Sequence, residues 1–486
     1  MTTEKEKALA TIDHKRELLT QMSDFLWDHP EIGYHEVKAT QLFCDALQRE
    51  GFSVERQLAG IPTAFCGTFG SGRPVIGLLG EFDALPGMSQ VAQCPQKQEV
   101  EGGAAGHGCG HNLLGVGSFA AAIATKHFLE ENSLQGTIKF FGCPAEEGGA
   151  GKGFMARDGV FDSLDIALSW HPGEVNSVAS ENTMANYQAC YHFYGVSSHA
   201  AMSPEMGRSA LDALELMNTG VQYLREHIPS DNRVHYAITN TGGLAPGIVQ
   251  PYAAVLYLMR APQLEQAKEL YDRVTRIANG AAMMTDTRLE VEFVKACSNT
   301  VLNTELLKVL QHNLEQIPIP EFTQEDFAFA KAMRATQKSE YSYFEELLRD
   351  ITDPAAYDRL YQDCDSDIHN VVIPFPIERQ GFASSDVGDV SWVCPVAQLN
   401  ITTMPAGTAM HSWQEVAVGK SAMAHKGMIY AGKVLAGAAI DVLQEPTIIE
   451  RAKQEKLRRT KTKAYCAPIP KDIKPKIPNY IPENNK

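Results

Sequence analysis

The chain has 486 residues, of which 44% are hydrophobic and 21% charged, with a formal net charge of −16. That length exceeds one ordinary core and points to two domains, and the composition is that of a common globular protein. The acidity argues against a nucleic-acid partner, because phosphate recognition needs a basic surface. No apolar run is long enough to span a membrane.

The apolar stretch from Asn112 to Phe128 is the best membrane candidate, and Gly115, Gly117, Ser118 and Lys126 interrupt it. The start, MTTEKEKALATIDHKRELL, is charged and lacks an apolar signal segment, so no secretory leader is expected. The 10 cysteines are scattered without a CxxC pair. Reduced thiols and a cytoplasmic location are therefore expected.

In chain order, residues 4–29 have helical periodicity, with Leu9, Ile12, Leu18, Leu19, Met22 and Phe25 along one stripe. A second helix is predicted from Glu36 to Glu50, stopping at Gly51. Pro74 to Leu79 reads as a buried strand and leads into Gly80-Glu-Phe-Asp-Ala-Leu-Pro86. The Gly-rich segment 102–110 precedes a helix from about Leu113 to Glu131, and Thr137–Cys143 and Asp165–Trp170 read as further strands. Strands alternating with helices predict an α/β sheet. Polar residues just after apolar strands suit a site beyond the carboxyl ends of those strands.

The texture changes near Asn186. Strands are predicted at Tyr187–Tyr194, Val234–Thr239, Ala253–Met259 and Arg288–Val294, with helices at Gly207–His227 and Leu264–Met284. This order fits a small α+β insert with helices on one face, interrupting a discontinuous catalytic domain. Residues 321–370 are polar, acidic and helical and are assigned no chemistry. The tail from about Pro468 is rich in Pro and Lys and is expected to be extended.

Chemistry concentrates in Gly106-His-Gly-Cys-Gly-His111. Cys109 and His111 are two apart, so in an extended backbone both point to one side. Thiolate and imidazole suit zinc or another first-row metal. The alternatives are a glycine loop with incidental Cys and His, or Cys109 as a thiol nucleophile with a histidine base. Pro144-Ala-Glu-Glu-Gly148 supplies two adjacent carboxylates. Adjacent side chains diverge, so Glu146 and Glu147 can hold different jobs, one on a metal and one as base toward water. Read singly, this pair is more often a solvated acidic turn. His171, after a buried strand, and His411, in Thr408-Ala-Met-His411, are each more often structural than ligating. The five residues together supply S, N and O ligands beside one further carboxylate.

GEFDALPG (80–87), GHGCGHN (106–112), PAEEGGAGK (144–152), SWHPG (169–173), GVSSHAAMSP (195–204) and GTAMHSW (407–413) together resemble the M20 metallopeptidases. They are closer still to the aminoacylase/carboxypeptidase branch, in which a cysteine bridges two metal ions. The resemblance implies Cys109, His111, Glu147, His171 and His411 as ligands of two divalent ions, zinc or manganese, with cobalt also suited. It implies Glu146 as general base, Asp83 as the carboxylate orienting a ligand, and Asp386 as an acidic neighbour of the site. The implied fold is a zinc-peptidase-like catalytic domain, a mixed sheet between helices at 1–186 and 298–486. A ferredoxin-like lid and dimerisation domain at 187–297 interrupts it, with 468–486 as a tail. His199 then matches the lid histidine that stabilises an oxyanion, and Arg208 and Arg260 are candidate clamps for a substrate carboxylate.

The implied activity is hydrolysis of an amide in an N-acyl amino acid, p-aminobenzoyl-glutamate foremost, with dipeptides and other N-acyl amino acids open. A homodimer, a heterodimer with a related subunit, or an accessory role needing a partner are all compatible. Two positions depart from the pattern: Asn112 replaces the acid of CGHD, and Gly247 stands where the lid asparagine is expected.

Overall fold

The computed structural model describes residues 1–337 and 342–476. Two compact units emerge. The first comprises Met1–Glu181, Val301–Arg379 and Val390–Tyr465; the second comprises Asn182–Thr300, Gln380–Asp389 and the described residues from Cys466 on. The sequence places the insert at 187–297; the second unit starts at Asn182 and ends that segment at Thr300, and two short segments, 380–389 and 466–476, group with it. Residues 463–476 carry no helix or strand, and 477–486 of the expected tail lie outside the described residues.

The first unit is built on seven strands: β1 Ser53–Arg56, β2 Phe65–Ser71, β3 Val75–Glu81, β4 Gly136–Cys143, β5 Ile166–Gly173, β6 Ser177–Val178 and, much later, β11 Val396–Thr402. They are ordered β1-β2-β4-β3-β5-β11-β6. β4, β3, β5 and β11 run parallel, while β1, β2 and β6 pair antiparallel at the edges. The parallel strands are nearly continuous apolar runs because helices cover the sheet. Two of those helices, His111–Asn132 and Ala422–Gln444, are buried along most of their length and pack on each other.

Residues 4–29 form two helices, Thr3–His14 and Arg16–Asp28, not one. The break is the single residue Lys15, at φ −99° and ψ 8°. The apolar stripe runs through it, so periodicity does not register it. The predicted helix 207–227 is shorter, Ala210–Leu224, because Ser209 caps it by accepting from the Asp212 amide. Strand β5 extends past Trp170 and contains His171.

The second unit holds β7 Ala185–Tyr194, β8 Arg233–Asn240, β9 Tyr252–Ala261 and β10 Arg288–Cys297 in the order β10-β7-β9-β8, all antiparallel. Helices Ala210–Leu224 and Leu264–Thr285 pack against each other and against this sheet. The strand-helix-strand-strand-helix-strand order is the one expected from the sequence.

Candidate metal centre

Four parallel strands deliver the site at their carboxyl ends, the usual place for ligands in open α/β sheets. β3 ends at Glu81 and passes into Asp83; β4 ends at Cys143 and passes into the Glu146-Glu147 turn; β5 carries His171; β11 leads to the loop bearing His411.

Cys109 and His111 do not converge through extended backbone, as the spacing suggested, but through a turn into a helix. His111 is the first residue of helix His111–Asn132, and Gly110 before it sits at φ 68°, ψ 20°. Any side chain at that φ is strained. A Cβ there would also lie 2.8 Å from Pro172 Cγ. The acidic turn is equally constrained. Ala145 has φ 57°, and its amide donates to Glu36 Oε1 at 2.9 Å. Tyr34 Oη donates to the Gly149 carbonyl at 2.6 Å. His411 adopts φ 56°, a sparsely populated conformation for a histidine. Its amide is held at 2.9 Å by both the Gly108 carbonyl and Glu415 Oε2.

Described residues of the 321–370 stretch brace this last loop. Helices Gln324–Arg334, Tyr343–Leu348 and Pro354–Tyr361 occupy the segment. The Asp367 carbonyl accepts from the Ala406 amide at 3.0 Å. Glu174, three residues after His171, accepts from the Tyr343 amide at 3.0 Å through Oε1 and from the Gly407 amide through Oε2.

Side-chain donors gather in three groups, each within 4.8 Å: Cys109, His111 and His171; Cys109, Glu147 and His411; and Glu81, His111 and Glu146. Cys109 belongs to the first two. The neighbouring carboxylates Glu146 and Glu147 fall in different groups. Cys109 Sγ lies 3.4 Å from His171 Nε2, and His411 Nε2 lies 3.4 Å from Glu147 Oε2. His171 Nδ1–H donates to the Pro172 carbonyl at 2.8 Å, and His111 Nδ1–H donates to Asp83 Oδ1 at 3.0 Å. Both rings therefore turn Nε2 inward, toward the other donors. Asp83 uses its other oxygen to accept from the Glu147 amide at 3.0 Å, tying two groups together.

Electrostatics at the cluster call for a cation. Burial and then the Glu147 charge push the Cys109 thiol well above its usual range. Burial disfavours charge on His111, but its hydrogen bond to Asp83 and the charges of Asp83, Glu81 and Glu147 outweigh that and raise its pKa well above normal. Burial raises the Glu147 carboxyl, yet the His411 hydrogen bond and the His111 charge bring it down to about 2. His111 Nε2 and Glu147 Oε1 are buried without a hydrogen-bond partner. Orphaned inward nitrogen and oxygen donors, beside a buried thiol, fit divalent ions.

Asp83, Cys109, His111, Glu146, Glu147, His171 and His411 are thus brought together. His199, Arg208, Arg260 and Asp386 belong to the second unit. His199 is exposed, and its Nδ1 accepts from the amides of Ala201 at 3.2 Å and Met202 at 3.1 Å, which leaves the neutral ring's proton on Nε2. Arg208 is paired with Asp286 at 2.8 Å on the surface. Arg260 donates to Ser384 Oγ at 3.2 Å, and Asp386 is buried. Asn112 donates to Ser23 Oγ and the Gly419 carbonyl, both at 3.0 Å, so this departure ties the start of the helix to its neighbours. A Cβ at Gly247 would meet nothing within 4 Å, so space does not exclude a side chain there.

Sequence reasoning missed Glu36, Glu81, Lys152 and Glu415, all buried and all at the cluster or its supports. Glu81 carried a readable signal, an acid closing an apolar strand two residues before Asp83. Glu36 and Lys152 carried none.

Residues 77–345 match the profile of peptidase family M20/M25/M40. The chain is 44% identical over 96% of its length to one of the subunits of p-aminobenzoyl-glutamate hydrolase from Escherichia coli (strain K12), covering 97% of that protein. It is 30% identical to the Xaa-Arg dipeptidase of Mus musculus over 66% of its length and 73% of the relative. Among solved structures, a dinuclear metal-binding peptidase of the M20 family from Bacillus subtilis shares the fold, with a TM-score of 0.54 at 16% identity, over 89% of this chain and 99% of that one. The chain belongs to peptidase family M20/M25/M40, and it is a metal-dependent amidohydrolase.

Proposed function

We propose that the chain hydrolyses p-aminobenzoyl-glutamate to p-aminobenzoate and glutamate. The observation that carries this reading is the likeness, along nearly the whole chain, to a protein named for that reaction. Two divalent ions, zinc or manganese with cobalt also suited, would be held by Cys109, His111, Glu147, His171 and His411, with the Cys109 sulfur shared. Such ions supply an acidified water and positive charge where the amide oxygen becomes negative. Asp83 fixes the His111 ring so that Nε2 faces the cluster. Glu146, outside the Cys109 groups, takes the proton of the attacking water and returns it to the departing amide nitrogen. His199 is assigned the oxyanion donor, since its proton lies on Nε2; one such donor is worth about 3 kcal/mol. Arg208 and Arg260 are assigned the substrate carboxylates, Arg208 only by giving up Asp286.

That relative is named as one subunit of its hydrolase, which supports assembly with a related chain, as a heterodimer or through self-pairing of the inserted unit as a lid and dimerisation domain. Among the described residues no helix is long and apolar enough to cross a membrane, and no disulfide joins the ten cysteines, which supports a cytoplasmic location. A second reading, a dipeptidase, is favoured by the likeness to the Xaa-Arg enzyme. Comparing kcat/KM for p-aminobenzoyl-glutamate, other N-acyl amino acids and dipeptides, with manganese- or zinc-loaded protein, separates the two. A highest value on p-aminobenzoyl-glutamate is expected, and a highest value on a dipeptide would overturn the first reading in favour of the second.

A further inference from the structure

A carboxylate outside the expected ligand set meets the cluster from the end of β3. Glu81 is 3% exposed. Its Oε1 is 2.8 Å from the ammonium of Lys152, which is fully buried. Its Oε2 is 3.3 Å from His111 Nε2. That nitrogen is also fully buried and makes no hydrogen bond, while Nδ1 on the other side of the ring is held by Asp83. The donor atoms of Glu81, His111 and Glu146 lie within 4.8 Å of one another.

A buried carboxylate and a buried ammonium each lose several kcal/mol of hydration. A pair serving only the fold would satisfy both oxygens with donors; here one oxygen faces an inward ligand nitrogen. Lys152 lies in helix Gly151–Arg157, directly after the acidic turn, so the turn that places Glu147 also places the cation that orients Glu81. Holding Oε1 leaves Oε2 as a single oxygen donor beside His111.

We propose that Glu81 is a further metal ligand, sharing with His111 the ion that also faces His171, and that Lys152 is the positioning residue that presents it through one oxygen. This rests on the metal-centre reading above. Each of the two ion positions then has one carboxylate, Glu81 at one and Glu147 at the other, beside the Cys109 sulfur.

The test is metal titration of the metal-free full chain. Isothermal calorimetry gives affinities and mass spectrometry gives ion content for wild type, Glu81→Gln, Glu81→Asp and Cys109→Ser. Glu81→Gln is expected to weaken one of two manganese sites by about tenfold or more. It is also expected to change the visible spectrum of the cobalt-loaded protein, which a residue acting only on the fold would leave alone. Glu81→Asp keeps the charge for Lys152 but retracts the oxygen, and shows the same loss even where the glutamine variant fails to fold. Two wild-type-like manganese sites in Glu81→Asp, with an unaltered cobalt spectrum, would overturn the proposal while leaving the metal centre standing. A wild-type chain that binds no divalent ion, indistinguishable from Cys109→Ser, would overturn both.

Discussion

At the scale of single residues, the acidic turn sends its two adjacent carboxylates to different partners. Glu147 is engaged by His411, while Glu146 falls with Glu81 and His111. Glu146→Gln should lower kcat by about two to four orders of magnitude, the usual worth of a general base, with ion content unchanged by mass spectrometry. Wild-type turnover in that variant would remove the assignment. Glu36 supports the same turn from behind. Burial, reinforced by the Asp83 charge, lifts its carboxyl from 4.5 to about 8. The folded protein then holds a proton that the unfolded chain releases. The stabilisation is complete below about pH 4.5 and is lost as pH rises through about 8. In the metal-free protein, Glu36→Gln should flatten this fall and exceed the wild type in stability above about pH 8, read by urea unfolding across that range. An unchanged pH profile would show that Glu36 titrates as an ordinary carboxyl.

At the scale of elements, the centre depends on chain turns that few residues tolerate. Gly110, at φ 68° and against Pro172, sets the step from Cys109 into the His111 helix. Gly110→Ala should cost about 1–3 kcal/mol of stability and reduce the bound ions, measured by thermal unfolding beside metal analysis. Wild-type values for both would mean that the turn relaxes freely. Much of this architecture was legible in advance. Long amphipathic stretches such as Leu264–Thr285 and the buried strands β3, β4 and β5 follow from periodicity, and acids and histidines at their ends follow from where α/β sites form. What escaped the sequence depends on distant pairing. Lys152 reads as a solvent lysine until its burial against Glu81 is seen. Residues 321–370 read as an inert acidic segment until Asp367 meets Ala406. Strands β1 and β2, at one side of the sheet, are mixed in polarity, so their partners define them more than their own pattern.

At the scale of the molecule, the five expected ligands come from four separate segments and meet only in the folded chain. The unfolded chain offers no such site, so ion binding and folding are linked. At free ion about a hundredfold above the dissociation constant, each site should add about 2.7 kcal/mol to the unfolding free energy, and a chelator should remove it. The sharing of Cys109 makes this increment diagnostic. Its sulfur is common to the group with His111 and His171 and to the group with Glu147 and His411. Cys109→Ser should therefore lose stabilisation at both positions. His171→Ala should lose it at one, because the group of Cys109, Glu147 and His411 keeps all its members. Unfolding free energies measured with and without ions in wild type and the two variants distinguish a shared sulfur from two independent sites. Equal losses in the two variants would show that Cys109 serves a single ion.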